Sequence, residues 1–335
     1  MLALAGALAV GPAQMRIDPD PTKAAPTVSE RVAAVSESVA AASKRVAAAS
    51  ERVVAAVAAT PNLAAPVSQP AVLSAVSLYE QFVARGYTLD AVRGAGGVVP
   101  RVILRSLPQD LPSLDSIELR KSLFIKMMLP LLLAENERIR SDRMRALEIR
   151  RQLEESLPVP PDQMKWLAAL AARYGVDDGD LDELFRRVDV IPPALALGQA
   201  ALETGWGTSR VAQRGHAMFG QMVFKDETDP TIGSVREFPS LAAAVEAYAL
   251  NLNTHRAYTE FRKRRAEMRA QGADLDGYEL ALYLTRYSER KLAYVRDVRG
   301  IIRSNKLQAF DTARLEASTA RLEASTARLE ASLAK

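Results

Sequence analysis

Ala200-Ala201-Leu202-Glu203-Thr204-Gly205-Trp206-Gly207-Thr208-Ser209-Arg210 is the stretch from which the rest of the 335-residue chain is best read. It closes a helix that should open at Pro192-Pro193, because prolines suit a first turn whose amide hydrogens have no helical partner. Ala194, Leu195, Ala196, Leu197, Ala200, Ala201 and Leu202 leave almost no polar face, which predicts a buried helix. Gly198 removes side-chain bulk and lets another helix approach. Gly205 stops the helix, as a glycine just past the last turn commonly does. One carboxylate, Glu203, is left in the final turn beside Trp206.

That placement disfavours ionisation. A helix C-terminus carries partial negative charge, and apolar surroundings penalise a charged group further, so both raise the acid's pKa. A carboxylic acid that stays protonated near neutral pH is what a glycosidase needs to protonate a leaving sugar oxygen. The plainer alternative is a glutamate reaching into water from a frayed helix end.

Residues 186–306 also carry, in order, Val190-Ile191-Pro192-Pro193, Ala201-Leu202-Glu203-Thr204-Gly205-Trp206-Gly207-Thr208-Ser209, Met218-Phe219-Gly220-Gln221, Asn251-Leu252-Asn253-Thr254-His255, Tyr287-Ser288-Glu289-Arg290 and Ile302-Arg303-Ser304-Asn305. This series resembles the Bax family of bacterial proteins, within the glucosaminidase superfamily of peptidoglycan hydrolases. The resemblance implies a mainly α, lysozyme-like catalytic domain with a small β-hairpin. It implies Glu203 as general acid, with Tyr287 beside the reacting sugar and Gln221 and Asn253 among the substrate-binding residues. The family's usual Asn-Leu ahead of Phe-Gly is Ala217-Met218 here, so any polar contact from that asparagine is missing.

Phe219–Phe224 and Ser234–Phe238 are the plausible strand pair, flanking the polar turn Lys225-Asp226-Glu227-Thr228-Asp229-Pro230. A second carboxylate for an oxocarbenium-like state would come from this hairpin: Glu237 first, then Glu227 or Asp226. Glu237 is equally well explained by a surface salt bridge with a neighbouring arginine. Trp206, Phe219, Tyr248 and Tyr294 are candidates to stack on sugar rings, although Trp206 and Phe219 could equally be packing residues. The two histidines, His216 and His255, form no metal-ligand set and face no nucleophile in a recognisable motif, so neither metal nor cofactor is expected.

Composition sets the remaining bounds. The absence of cysteine excludes disulfides, thiolate metal sites and a lipid-modified N-terminal cysteine. The formal net charge is +4, but Arg256–Lys306 holds thirteen Lys/Arg against seven Asp/Glu. Such a surface attracts polyanions, yet no aromatic-rich nucleic-acid motif accompanies it, so nucleic acid is not an expected partner. Met1–Gln14 resembles the apolar part of a secretory signal without its positive start, pointing to the periplasm or cell envelope. No segment reads as a membrane span: Leu123–Ala134 is too short and contains Lys126 and Pro130.

The chain therefore divides into a signal or linker over 1–27, a heptad helix over 28–60, a helical arm over 61–157, a catalytic domain over 158–308 and a heptad-repeat tail over 309–335. Valines and alanines from Val28 to Val53 alternate spacings of four and three, the seam of a coiled coil or a long amphipathic helix, which would let residues 28–56 self-associate. The tail holds three copies of Thr-Ala-Arg-Leu-Glu-Ala-Ser and is expected to be helical. Three functions remain: a peptidoglycan hydrolase cutting beside N-acetylglucosamine, a lytic transglycosylase on the same fold, and a non-catalytic wall-binding or coiled-coil interaction protein.

Overall fold

The computed structural model describes residues 74–94, 97–176, 179–224 and 233–317. The heptad segment 28–60, the hairpin tip with Asp226 and Glu227, and most of the repeat tail lie outside the described residues. Within them the chain is mainly α-helical, with eleven α-helices and two two-stranded sheets.

The buried helix foreseen at Pro193 is present as α6 (Pro193–Thr204), and Gly205 ends it in the left-handed region at φ 57°. Ten of its twelve residues are buried, so it is the axis of the core. Helices α3 (Ile117–Glu154), α10 (Gly277–Leu280) and α11 (Leu292–Ser304) pack around it, as does the 3₁₀ turn Leu307–Phe310. Gly198 allows α11 its closest approach: a β-carbon there would stand 2.8 Å from Ile302 Cγ1.

Two polar clamps fix the start of α6. Asn136, buried in α3, donates to the Ile191 carbonyl at 2.8 Å and accepts from the Ile191 amide at 3.1 Å. Asp311 accepts the Ala194 amide at 2.7 Å on one oxygen and the Gly277 amide at 2.8 Å on the other. These bonds satisfy backbone groups left open just ahead of α6 and at the N-termini of α6 and α10. Ser116 caps α3 by accepting the Leu119 amide, and α3 runs on through Pro130. α3 keeps an inward face along its second half, where Asn136, Ile139, Ala146, Ile149 and Leu153 are buried.

The hairpin is shorter than the sequence predicts. Strands β2 (Met222–Phe224) and β3 (Gly233–Val235) pair antiparallel, Met222 opposite Val235. Gly220, at φ 61°, interrupts the extended path before β2, and the Phe238 amide bonds the Gly215 carbonyl instead of continuing the ladder. The tail is also corrected where it is described. Instead of a helix, Arg314–Leu315 form β4, parallel to β1 (Val98–Val99), and Leu315 is buried.

Candidate functional site

The site is built on the last turn of α6 and the sharp turn after it. The Thr204 hydroxyl donates to the Ala200 carbonyl at 2.6 Å and accepts the Gly207 amide at 2.8 Å. These two hydrogen bonds brace a turn in which Gly205, Trp206 and Gly207 sit at positive φ, a conformation costly for a tryptophan. Gly207 has no room for a side chain, since a β-carbon would lie 3.0 Å from both Leu107 and Phe124. Trp206 meets Phe124 edge-on at 5.7 Å, with the Lys121 ammonium 5.4 Å from the Trp206 ring.

Glu203 is half-buried, and burial pushes its carboxyl above the ordinary glutamate range, partly opposed by a hydrogen bond from Tyr294 and the charge of Arg290. Behind it runs a buried chain of polar groups. The Tyr248 hydroxyl donates to Gln199 Oε1 at 2.8 Å, and Gln199 Nε2 donates to the Tyr294 oxygen at 2.9 Å. With its oxygen already accepting, the Tyr294 hydroxyl directs its proton to Glu203.

A loop, Met218-Phe219-Gly220-Gln221, crosses in front of the acid. Tyr287 donates to the Phe219 carbonyl at 2.7 Å and stacks on Tyr294 at 5.4 Å between centroids. Gly220 touches the Glu203 carboxylate and, with Tyr287, walls a groove of about 620 Å³. Gln221, Met222, Arg236, Asn251, His255, Tyr258 and Arg286 complete much of its lining. Glu203 itself is not a wall of this groove; it meets it through Gly220.

Of the residues singled out in the sequence, Glu203, Tyr287, Tyr294, Tyr248, Phe219 and Gln221 come together here. Phe219 is no sugar platform: it is 1 % exposed and stacks on Tyr248 at 3.9 Å. Tyr248 and Tyr294 are likewise buried: their rings stack on Phe219 and Tyr287, and their hydroxyls bond Gln199. Asn253 is fully buried and donates to the Asp189 carbonyl at 2.9 Å, so it ties α8 (Leu241–Thr254) to the chain leading into α6. Glu237 lies past the end of β3, exposed and against Gly215. Trp206 is half-buried, with the Lys121 ammonium over its ring.

Gln199 was missed in the sequence, although it sits four residues before Glu203 and so on the same helix face. Arg290, inside a quoted motif, was missed as a charge acting on Glu203. Among the described residues no group of three or more His, Cys, Asp or Glu could hold a metal ion, and no helix is long and apolar enough to cross a membrane.

Comparison with known proteins gives this arrangement a family. Residues 180–307 match the glucosaminidase family described as mannosyl-glycoprotein endo-beta-N-acetylglucosaminidase. Protein bax of Escherichia coli (strain K12) is 32% identical over 198 residues, covering 56% of this chain and 70% of that protein. The chain belongs to the Bax family of the glucosaminidase superfamily. No solved structure matches it. The glucosaminidase match begins at the cap of α5 (Leu181–Arg187) and ends just past α11, so it takes in α6, the crossing loop, the hairpin and the tyrosines. Membership supports glycosidase activity on a glycan for this Bax-family chain.

Proposed function

We propose that this Bax-family chain cleaves peptidoglycan at a glycosidic bond next to N-acetylglucosamine, with Glu203 as general acid. The observation that carries the reading is the state of Glu203: a half-buried carboxyl, pushed toward its neutral form by burial, held from behind by Tyr294 and bordered in front by Gly220 and a groove. A protonated acid of this kind delivers its proton to the departing sugar oxygen as the bond to the anomeric carbon breaks. Because Tyr294 donates to the carboxyl group, the acid's own proton is best placed on the oxygen turned away from it. Tyr287 belongs to the same cluster and holds the crossing loop in place. Glu237 remains the candidate second carboxylate within the described residues, with Glu227 and Asp226 in the hairpin tip.

One observation favours a second reading. None of the described residues lining the groove is an Asp or Glu. A site with one working carboxylate suits either assistance by the substrate's own N-acetyl group or intramolecular capture of the cation, as in a lytic transglycosylase. Such a substrate lies in the cell envelope, in keeping with the signal-like Met1–Gln14.

Purified protein and its Glu203→Gln variant, incubated with purified peptidoglycan, test both readings. Wild type should release muropeptides and Glu203→Gln should be slower on the order of a hundredfold or more. Equal rates would remove Glu203 as the acid. Product mass separates the mechanisms, since hydrolysis adds a water and transglycosylation leaves an anhydro sugar.

A further inference from the structure

The groove beside Gly220 is chemically one-sided. Arg236 and Arg286 both line it, and neither forms a carboxylate pair among the described residues. His255 adds a donor: its Nδ1 accepts the Ala257 amide at 3.2 Å, which leaves the proton of the neutral ring on Nε2. Against these donors stands one unmet acceptor. Gln221 Nε2 donates to the Ala247 carbonyl at 3.3 Å, but its Oε1 is buried with no partner among the described residues. A buried carbonyl oxygen without a donor is costly, and its natural complement is an N–H group brought by a ligand.

We infer that this groove is a subsite for an N-acylated amino-acid carboxylate carried by the glycan, with Arg236 and Arg286 holding the carboxylate and Gln221 Oε1 accepting an amide N–H. The inference rests on the glycan-cleaving reading above and adds the substituent that the substrate must bear. Guanidinium groups match a carboxylate's paired oxygens, and the pairing strengthens at the edge of a partly dry groove. A phosphate group would satisfy the arginines and leave Gln221 unmet, because it brings no N–H. Gly220 and Tyr287 connect the subsite to Glu203, so a peptide arm seated there extends from a sugar lying near the acid.

Two measurements on the full chain decide the matter. In the Glu203→Gln background, calorimetric titration with N-acetyl-L-alanine should saturate. Its carboxamide should bind about tenfold more weakly or worse, as should N-acetyl-L-alanine itself with the Arg236→Gln/Arg286→Gln double variant. Both arginines are exposed, and an unchanged circular dichroism melt confirms that the variant is folded. Equal binding of acid and carboxamide, tighter binding of inorganic phosphate, or an unaltered double variant would each overturn the subsite.

With the active protein, wild type should show a lower KM for glycan strands bearing their peptides than for strands stripped of them. That ratio should collapse toward one in the double variant, and its absence in wild type would also overturn the subsite. If Glu203→Gln instead kept full activity, the assignment of the acid would fall while the titrations still judged the groove.

Discussion

Gly220 and Glu203 are in direct contact: a β-carbon on Gly220 would stand 2.5 Å from Glu203 Oε2. The glycine is thus set by two constraints, its φ of 61° and the carboxylate against it. Gly220→Ala adds left-handed strain of about 1–2 kcal/mol and forces the acid or the loop to move. The variant should melt several degrees lower and lose at least about tenfold in kcat. A variant matching wild type in both would mean that the loop yields freely.

Tyr294 lowers the pKa of Glu203 against the larger effect of burial. Removing its hydroxyl in Tyr294→Phe removes a donor that favours the carboxylate, so the acid keeps its proton to higher pH. The basic limb of the kcat/KM profile should therefore move upward in Tyr294→Phe. Arg290→Gln should move it the same way, since Arg290 also favours the charged form. A downward shift in either variant would contradict the assignment of that limb to Glu203.

Burial of Glu203 has a stability cost whose sign is fixed. Its folded pKa lies above the unfolded value, so the folded chain binds the proton more tightly. Stability contributed by the protonated form is present at low pH and is lost as pH rises from the ordinary glutamate range through the raised value. Glu203→Gln carries no such charge and should be more stable than wild type at pH 7, with the difference shrinking as pH falls into the ordinary glutamate range. Thermal melts across that range provide the check.

Gln199 is fully buried and joins two tyrosine hydroxyls. Gln199→Leu keeps the volume but leaves both hydroxyls without that partner, at a cost of about 1–3 kcal/mol. The melt should fall accordingly, and Tyr248→Phe combined with Gln199→Leu should cost less than the sum of the two single changes. Additive losses would show that the chain does not act as a unit.

The buried helix was legible because its signals are local: paired prolines, an unbroken apolar run and a terminal glycine. The acid was legible for the same reason, as a charge out of place at a greasy helix end. What the sequence left open or misplaced were groups whose surroundings come from far along the chain. Phe219, Tyr248 and Tyr294 have the composition of sugar platforms, but the packing of α11 on α6 and the stacking of Phe219 on Tyr248 bury their rings. Asn253 lies in a recognisable motif and serves the backbone at Asp189, 64 residues away. Glu237 stands exposed past Val235, where Arg236 still donates to the Gln221 carbonyl and Phe238 turns to Gly215.

The small parallel sheet engages the first copy of the tail's repeat. The segment that β1 accepts, with Ala313 and Leu315 inward and the Glu316 carbonyl receiving the Arg101 guanidinium, belongs to a seven-residue unit spelled identically three times. Residues 320–323 and 327–330 repeat Ala-Arg-Leu-Glu letter for letter, so the residues seated against β1 are spelled twice more downstream. The first copy is thereby tied to the folded core through buried Leu315 and the Arg101 guanidinium on the Glu316 carbonyl.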